Sequence, residues 1–243
     1  MSDQKDLFSW YKTMGVTEMY TNVPTNFLEE KNQVHHEAVA NNNLTLEQIT
    51  RTIADKCNTL ADLREAVINF KELDIAKNAL NPVFSDGSEQ AEVMIIGEAP
   101  GANEDEQGIP FCGQSGKLLD KMLACIDLER KHNLYITNTV FWRPPGNRRP
   151  TDEENKICLP FVEKHIFLRN PKLIILVGAN AAQTLLGTQE AISSLRKKKF
   201  TYQNIYMKNS VPMIVTFHPS YLLRQPSQKK FMWYDLIKAK QFL

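Results

Sequence analysis

Three polar side chains of different chemistry, Glu98, Asn138 and His218, each stand at the end of a short apolar run. Val93-Met94-Ile95-Ile96 leads into Gly97-Glu98-Ala99-Pro100-Gly101, Leu134-Tyr135-Ile136-Thr137 leads into Asn138, and Met213 to Thr216 leads into Phe217-His218. Short apolar runs closed by turn residues read as buried parallel strands. Ligands of parallel sheets collect at the carboxyl ends of the strands. The spacing therefore predicts a carboxylate, an amide and an imidazole on one rim. A carboxylate can activate water or offset positive charge, an amide can read a polar edge, and an imidazole can donate to a developing anion. Taken singly, an Asn here caps the next element and a His packs in the core. The joint placement is what points to a site.

The elements that must hold these residues follow from the same grammar. A helix is predicted from about Ser115, with Leu118, Leu119, Met122, Leu123 and Ile126 on one face. Thr151 and Glu154 form a capping box for a helix reaching His165, with a kink expected at Pro160. Leu173 to Val177 is a further strand, ending at Gly178. A short helix over Ala181 to Leu186 follows, and a last helix runs from about Gln228 to Phe242. Alternation of this kind predicts an α/β protein, a three-layer α/β/α sandwich around a short, mainly parallel sheet. Thr45 with Gln48, and Thr59, are caps for two earlier helices, whereas residues 81–90 read as turn and loop. Residues 1–60 are expected to form a helical or irregular N-terminal arm, and residues 61–243 the domain.

Composition excludes several classes. The 243 residues are 42% hydrophobic and 23% charged, which is ordinary for a globular chain able to bury a core without staples. No apolar run approaches the ~20 residues of a membrane span. The charged start, Met1-Ser2-Asp3-Gln4-Lys5-Asp6, argues against a signal peptide. Cys57, Cys112, Cys125 and Cys158 are scattered, with no CxxC pair, which suits reduced thiols in a cytosol. The net charge of +1 hides an asymmetry: residues 191–243 carry ten basic side chains and one acidic one, Asp235. Such a quarter is either a solvated lysine surface or a face for a polyanion.

Two loops add to the second reading. Arg143-Pro144-Pro145-Gly146-Asn147-Arg148-Arg149-Pro150 is stiff and basic, and can present guanidinium groups to phosphates. His218-Pro219-Ser220-Tyr221-Leu222-Leu223-Arg224 places two leucines beside cations, as in proteins that wedge bases out of a duplex. The alternative is that these leucines open a buried helix. The glycine turns between Glu98 and Gly116 lack both the GKS/T ending and the GxGxxG spacing, which disfavours nucleotide triphosphatases and dinucleotide enzymes.

Five ordered segments together resemble the family 4 uracil-DNA glycosylases. They are Gly97 to Gly101 with Glu104-Asp105, Gly108 to Gly113, Tyr135 to Asn138, Arg143 to Arg148, and His218 to Arg224. The resemblance covers roughly residues 70–243 and implies removal of uracil from DNA by cleavage of the N-glycosidic bond. By the same resemblance, Phe111 stacks on an extruded base, Asn138 reads the polar edge of uracil and His218 stands at uracil O2. The backbone around Gly97, Ala99, Pro100 and Gly101 lies against the base. Glu98 is the first candidate for the group that polarises water and Asp105 the second, because Ala99 occupies the place where related glycosylases carry an Asp. Arg143, Asn147, Arg148, Ser220, Leu222, Leu223 and Arg224 are the implied DNA contacts.

The sequence departs from the family in two respects. Members usually hold an iron–sulfur cluster on four cysteines, but three of the four positions here are Phe70, Leu73 and Trp142, leaving Cys158. One thiolate cannot hold a four-iron cluster, so no cluster is expected, and the three apolar residues are expected to pack as a clip. Covalent uracil-trapping relatives insert a His-bearing basic loop after the Arg-Pro-Pro segment; here Arg148-Arg149-Pro150-Thr151 runs straight into the capping box, so turnover is expected. The expected partner is uracil-containing DNA, single- or double-stranded, with no membrane contact. A monomer in the cytosol, at a bacterial-type nucleoid, is expected. A degenerate relative that binds without turnover is the alternative. An esterase on the same scaffold is disfavoured by the lack of a GxSxG elbow.

Overall fold

A computed structural model describes residues 44–243. Leu44–Leu243 form one compact unit that includes residues 44–60, assigned above to an arm; the rest of that arm, residues 1–43, lies outside the described residues. Helix α1 (Leu46–Lys56) starts at Thr45, whose hydroxyl accepts from the Gln48 N–H while the Gln48 side chain accepts from the Thr45 N–H. Its Ala54 and the following Cys57 are buried in the main core, and α1 packs on the later helix α6. Burial of that apolar face, rather than helix propensity, joins α1 to the domain. Helices α2 (Leu60–Asn69) and α3 (Asp74–Asn78) follow.

The remaining elements are β1 (Asp86–Gly87), β2 (Val93–Gly97), α4 (Ala102–Gln107), α5 (Gln114–Ala124), β3 (Leu134–Asn138), α6 (Asp152–Arg169), β4 (Leu173–Val177), α7 (Ala179–Leu186), α8 (Ile192–Leu195), β5 (Phe200–Tyr202), β6 (Val211–Thr216), α9 (Pro219–Arg224) and α10 (Lys229–Lys240). The sheet order is β1-β3-β2-β4-β6-β5. The four central strands are parallel, as expected, and the two edge strands are antiparallel. Both edges escaped the sequence reading because they are too short to show alternation. Gly87 lies in a stretch read as loop, yet pairs with Tyr135; a Cβ on it would stand 2.2 Å from the Leu134 carbonyl oxygen.

Strand alternation sorts the core into two layers. Met94, Ile96, Tyr135, Ile174, Leu176, Met213 and Val215 face α1, α2 and α6. Val93, Ile95, Leu134, Ile136, Leu173, Ile175 and Val177 face α5 and α10. The result is the three-layer α/β/α sandwich. Helix α6 runs through Pro160 and one turn past His165; the buried Phe161, Val162 and Ile166 hold the turn that the proline deprives of an N–H bond. Among the described residues no helix is long and apolar enough to cross a membrane.

Candidate active site

The C-terminal rim of the central strands opens on a cavity of about 1080 Å³, lined among others by Glu98, Gly101, Glu104, Phe111, Arg149 and His218. Glu98 follows β2, Asn138 ends β3 in register with Gly97, and His218 follows β6. Strands β3 and β6 are separated by β2 and β4, so at the usual strand spacing their tips stand about 14 Å apart. Asn138 and His218 therefore flank a gap, and Phe111 spans it. The Phe111 ring lies 5.6 Å from the His218 ring, centroid to centroid. A Cβ built on Gly97 would stand 2.4 Å from Phe111 Cζ and 2.5 Å from Asn138 Oδ1. No residue but glycine leaves room at position 97 for both neighbours.

Phe111 is held by devices far apart in sequence. Its backbone is left-handed, with φ of 53°, a strained conformation for an aromatic residue. The Arg130 guanidinium donates to the carbonyl oxygens of Pro110 (2.6 Å) and Phe111 (2.7 Å) and pairs with Asp120 and Asp86. Gly116 in α5 lies under the same carbonyl: a Cβ there would meet Phe111 O at 1.6 Å. Neither Arg130 nor Gly116 was singled out from sequence, and nothing local marks Arg130, whose partners are 10 to 44 residues away.

The polar groups divide into free and committed sets. Asn138 is buried, and among the described residues its Oδ1 has no hydrogen-bond partner, which is costly for a buried acceptor. His218 caps α9, its Nδ1 accepting from the Ser220 N–H (3.2 Å) and lying 2.8 Å from Ser220 Oγ. With Nδ1 an acceptor, the ring proton sits on Nε2. Burial, aided by Arg224, lowers the His218 pKa to about 4, so the ring is neutral near pH 7. Burial raises the pKa of Glu98, and Arg149, 3.7 Å away, opposes the rise. Glu104 is spent on structure: its two oxygens accept from the Gly101 and Gly113 N–H groups, tying the two glycine turns together. The Gly101 N–H is thus not free for a base. Gly97 and Ala99 stay beside the site, Ala99 packing into the core and Pro100 buried behind it.

Two expectations are corrected here. Asp105 does not line the cavity; it is buried, and its Oδ1 accepts from the Leu80 and Asn81 N–H groups, so it clamps a distant loop instead of facing water at the site. Leu222 is fully buried beside Phe217, Met232 and Leu236, whereas Leu223 is exposed and lines the cavity. One turn of helix points consecutive residues about 100° apart, so only one of the two leucines can face outward. Of the other implied DNA contacts, Ser220 holds His218, and Arg224 stands at the cavity mouth. Arg143 donates to Asn147 (2.7 Å), and Arg148 forks onto Glu154 at 2.7 and 2.8 Å. The loop cation that reaches the cavity is Arg149, which the sequence reading passed over for want of anything to separate it from Arg148.

The residues at the cluster positions do not suit an iron–sulfur cluster. Phe70, Leu73 and Trp142 are buried in one apolar core, Phe70 lying 5.9 Å from Trp142 and 5.6 Å from Phe161 between ring centroids. Cys158, the remaining thiol, is fully buried in the same core, and burial pushes its pKa up, the reverse of what a thiolate ligand needs. Among the described residues no group of three or more His, Cys, Asp or Glu side chains is placed to hold a metal ion.

Comparison with known proteins agrees with this geometry. The sequence profile of the Uracil DNA glycosylase superfamily matches residues 84–239. A type-4 uracil-DNA glycosylase of Pyrobaculum aerophilum is 36% identical over 181 residues, covering 73% of this chain and 91% of the relative. The type-4 enzyme of Sulfurisphaera tokodaii is 31% identical over 188 residues, 76% of this chain and 84% of the relative. That of Thermotoga maritima is 36% identical over 169 residues, 68% and 85% respectively. With the profile spanning most of the domain and the relatives covered along most of their own length, the chain belongs to the uracil-DNA glycosylase superfamily and, within it, is similar to type-4 enzymes over 73–76% of its length.

Proposed function

We propose that this protein excises uracil from DNA by hydrolysing the N-glycosidic bond, leaving an abasic site in an uncut strand. The observation that carries the reading is the buried, unpartnered Oδ1 of Asn138 beside the Phe111 ring. A uracil lying on Phe111 supplies the missing donor, its N3–H, while its O4 accepts from the Asn138 amide. Cytosine offers the opposite pattern at both atoms and leaves buried groups unpaired.

The chemistry follows from the flanking groups. As the bond between C1′ and N1 breaks, its electron pair passes to N1 and O2 of the leaving uracil, and the sugar gains oxocarbenium character. His218, neutral and with its proton on Nε2, donates to O2 where the negative charge gathers. Water adds to C1′, and its proton goes to the Glu98 carboxylate. The products are the uracil anion, which takes a proton from solvent, and an abasic sugar. No lysine is assigned as a nucleophile, so strand cleavage by lyase chemistry is not part of the reading. Leu223 and Arg224, on the cavity wall, are the groups placed to meet the flanking DNA.

The test is release of uracil from matched oligonucleotides carrying U·G, U·A or single-stranded uracil, read by alkaline cleavage at the abasic site. Release with multiple turnovers is expected. DNA binding without release would make the chain a recognition module, and strand scission before alkali would place a lyase nucleophile in the site.

The residue chemistry also supports a protein that works without an iron–sulfur cluster, since apolar side chains occupy three of the four expected ligand positions. Iron and acid-labile sulfide, measured on protein purified without oxygen, are expected to be far below one per chain; stoichiometric iron would overturn this. We also propose a cytosolic monomer; the four free cysteines suit a reducing compartment.

A further inference from the structure

Glu98 shares its cavity with five other ionisable side chains: Glu104, Arg149, His218, Tyr221 and Arg224. Glu104 is held by the Gly101 and Gly113 N–H groups, and His218 is neutral and bonded to Ser220. Among the described residues only Arg149 comes within ion-pair distance of the Glu98 carboxylate, its Nε 3.7 Å from Oε1. Among the described residues no hydrogen bond reaches that carboxylate, so Arg149 is its one direct electrostatic partner. The Arg149 side chain is 62% exposed and that of Glu98 24%, an exposed cation beside a mostly covered anion. Its loop neighbours cannot substitute for it, because Arg143 is engaged with Asn147 and Arg148 with Glu154. The other contact of Arg149 is a long one, 3.4 Å, to Gln183 across a second, polar cleft.

We propose that Arg149 is a positioning residue whose charge keeps Glu98 ionised for the attack of water, acting through the carboxylate and not on the base. The inference rests on the reading of Glu98 as the water-activating group. A general base works only when deprotonated, and Glu98 sits where burial favours its neutral form. A guanidinium 3.7 Å from its edge favours the charged form by Coulomb attraction.

The test compares Arg149→Gln and Arg149→Lys in the full-length protein; the side chain is exposed, so neither change touches the core. Removing the cation raises the pKa of Glu98, so the acid limb of the kcat profile moves to higher pH. Uracil release by Arg149→Gln is expected to fall about three- to tenfold in mildly acidic buffer, a shift of roughly half to one pKa unit, and to recover in mildly alkaline buffer. Arg149→Lys retains the charge and restores the profile. A second readout needs no catalysis: the Glu98 carboxyl, followed by carbon NMR in the DNA-free protein, titrates at higher pH in Arg149→Gln. An equal loss of rate at every pH, or a Glu98 titration unmoved by the substitution, would sink the proposal. Glu98→Gln separates it from the reading beneath: full activity in that variant refutes Glu98 as the base, whereas an inactive Glu98→Gln alongside an unshifted Arg149→Gln refutes only the role of Arg149.

Discussion

His218→Ala is expected to lower the rate of uracil release by about 10²–10³-fold, the usual effect of losing one donor to a developing anion, while DNA affinity stays nearly unchanged. The expectation rests on how the ring is held. Nδ1 is occupied by Ser220, so the imidazole presents Nε2–H and cannot turn to offer an acceptor. A pKa near 4 means that the ring works as a neutral donor, so its protonation does not shape the rate until the pH falls well below the physiological range. A neutral donor suits a charge that develops only in the transition state, because its hydrogen bond to the uncharged carbonyl is weaker than that to the anion. Single-turnover kinetics beside a binding isotherm on an uncleavable analogue check the split. Equal losses in rate and affinity would mean that His218 merely places the strand. Ser220→Ala provides a graded companion: it removes the Oγ contact but keeps the backbone N–H, so a smaller loss is expected.

The second large effect is expected from Asn138→Asp, with the ratio of uracil to cytosine release dropping by about 10²-fold or more. A buried carboxyl is driven toward its protonated form, and a protonated acid can donate to cytosine N3 while accepting from its amino group. The ionised form instead sets an acceptor against uracil O4. The protonated acid can serve either base and the ionised form penalises both, so in either state the preference of the amide for uracil is lost. Position 138 is also confined: Gly97 and the Phe111 ring leave no room for the side chain to swing away, so the substitution acts in place. Parallel release assays on matched uracil and cytosine oligonucleotides measure the ratio. An unchanged ratio would remove Asn138 from base recognition and leave discrimination to the shape of the slot.

What could be read from the chain alone was local. The four parallel strands, their order of chemistry-bearing tips and the helix caps at Thr45, Thr59 and Thr151 are written in patterns a few residues long, and the structure reproduces them. Glu98, Asn138 and His218 could be nominated because each follows an apolar run, and parallel topology sends all such ends to one rim. Folding alone settled how the polar groups are spent. Asp105 and Glu98 are both acids near the same turn, yet one is consumed by the Leu80–Asn81 backbone while the other faces the cavity. Leu222 and Leu223 are the same residue side by side, and only the direction of one helical turn buries the first and exposes the second. Arg148 and Arg149 differ only in which acid the folded chain sets within reach, Glu154 or Glu98. Residue type and spacing determine which elements form and which chemistry they can carry. Partners tens of residues apart decide which donor or acceptor remains free, because a hydrogen bond depends on distances that only the packed fold establishes.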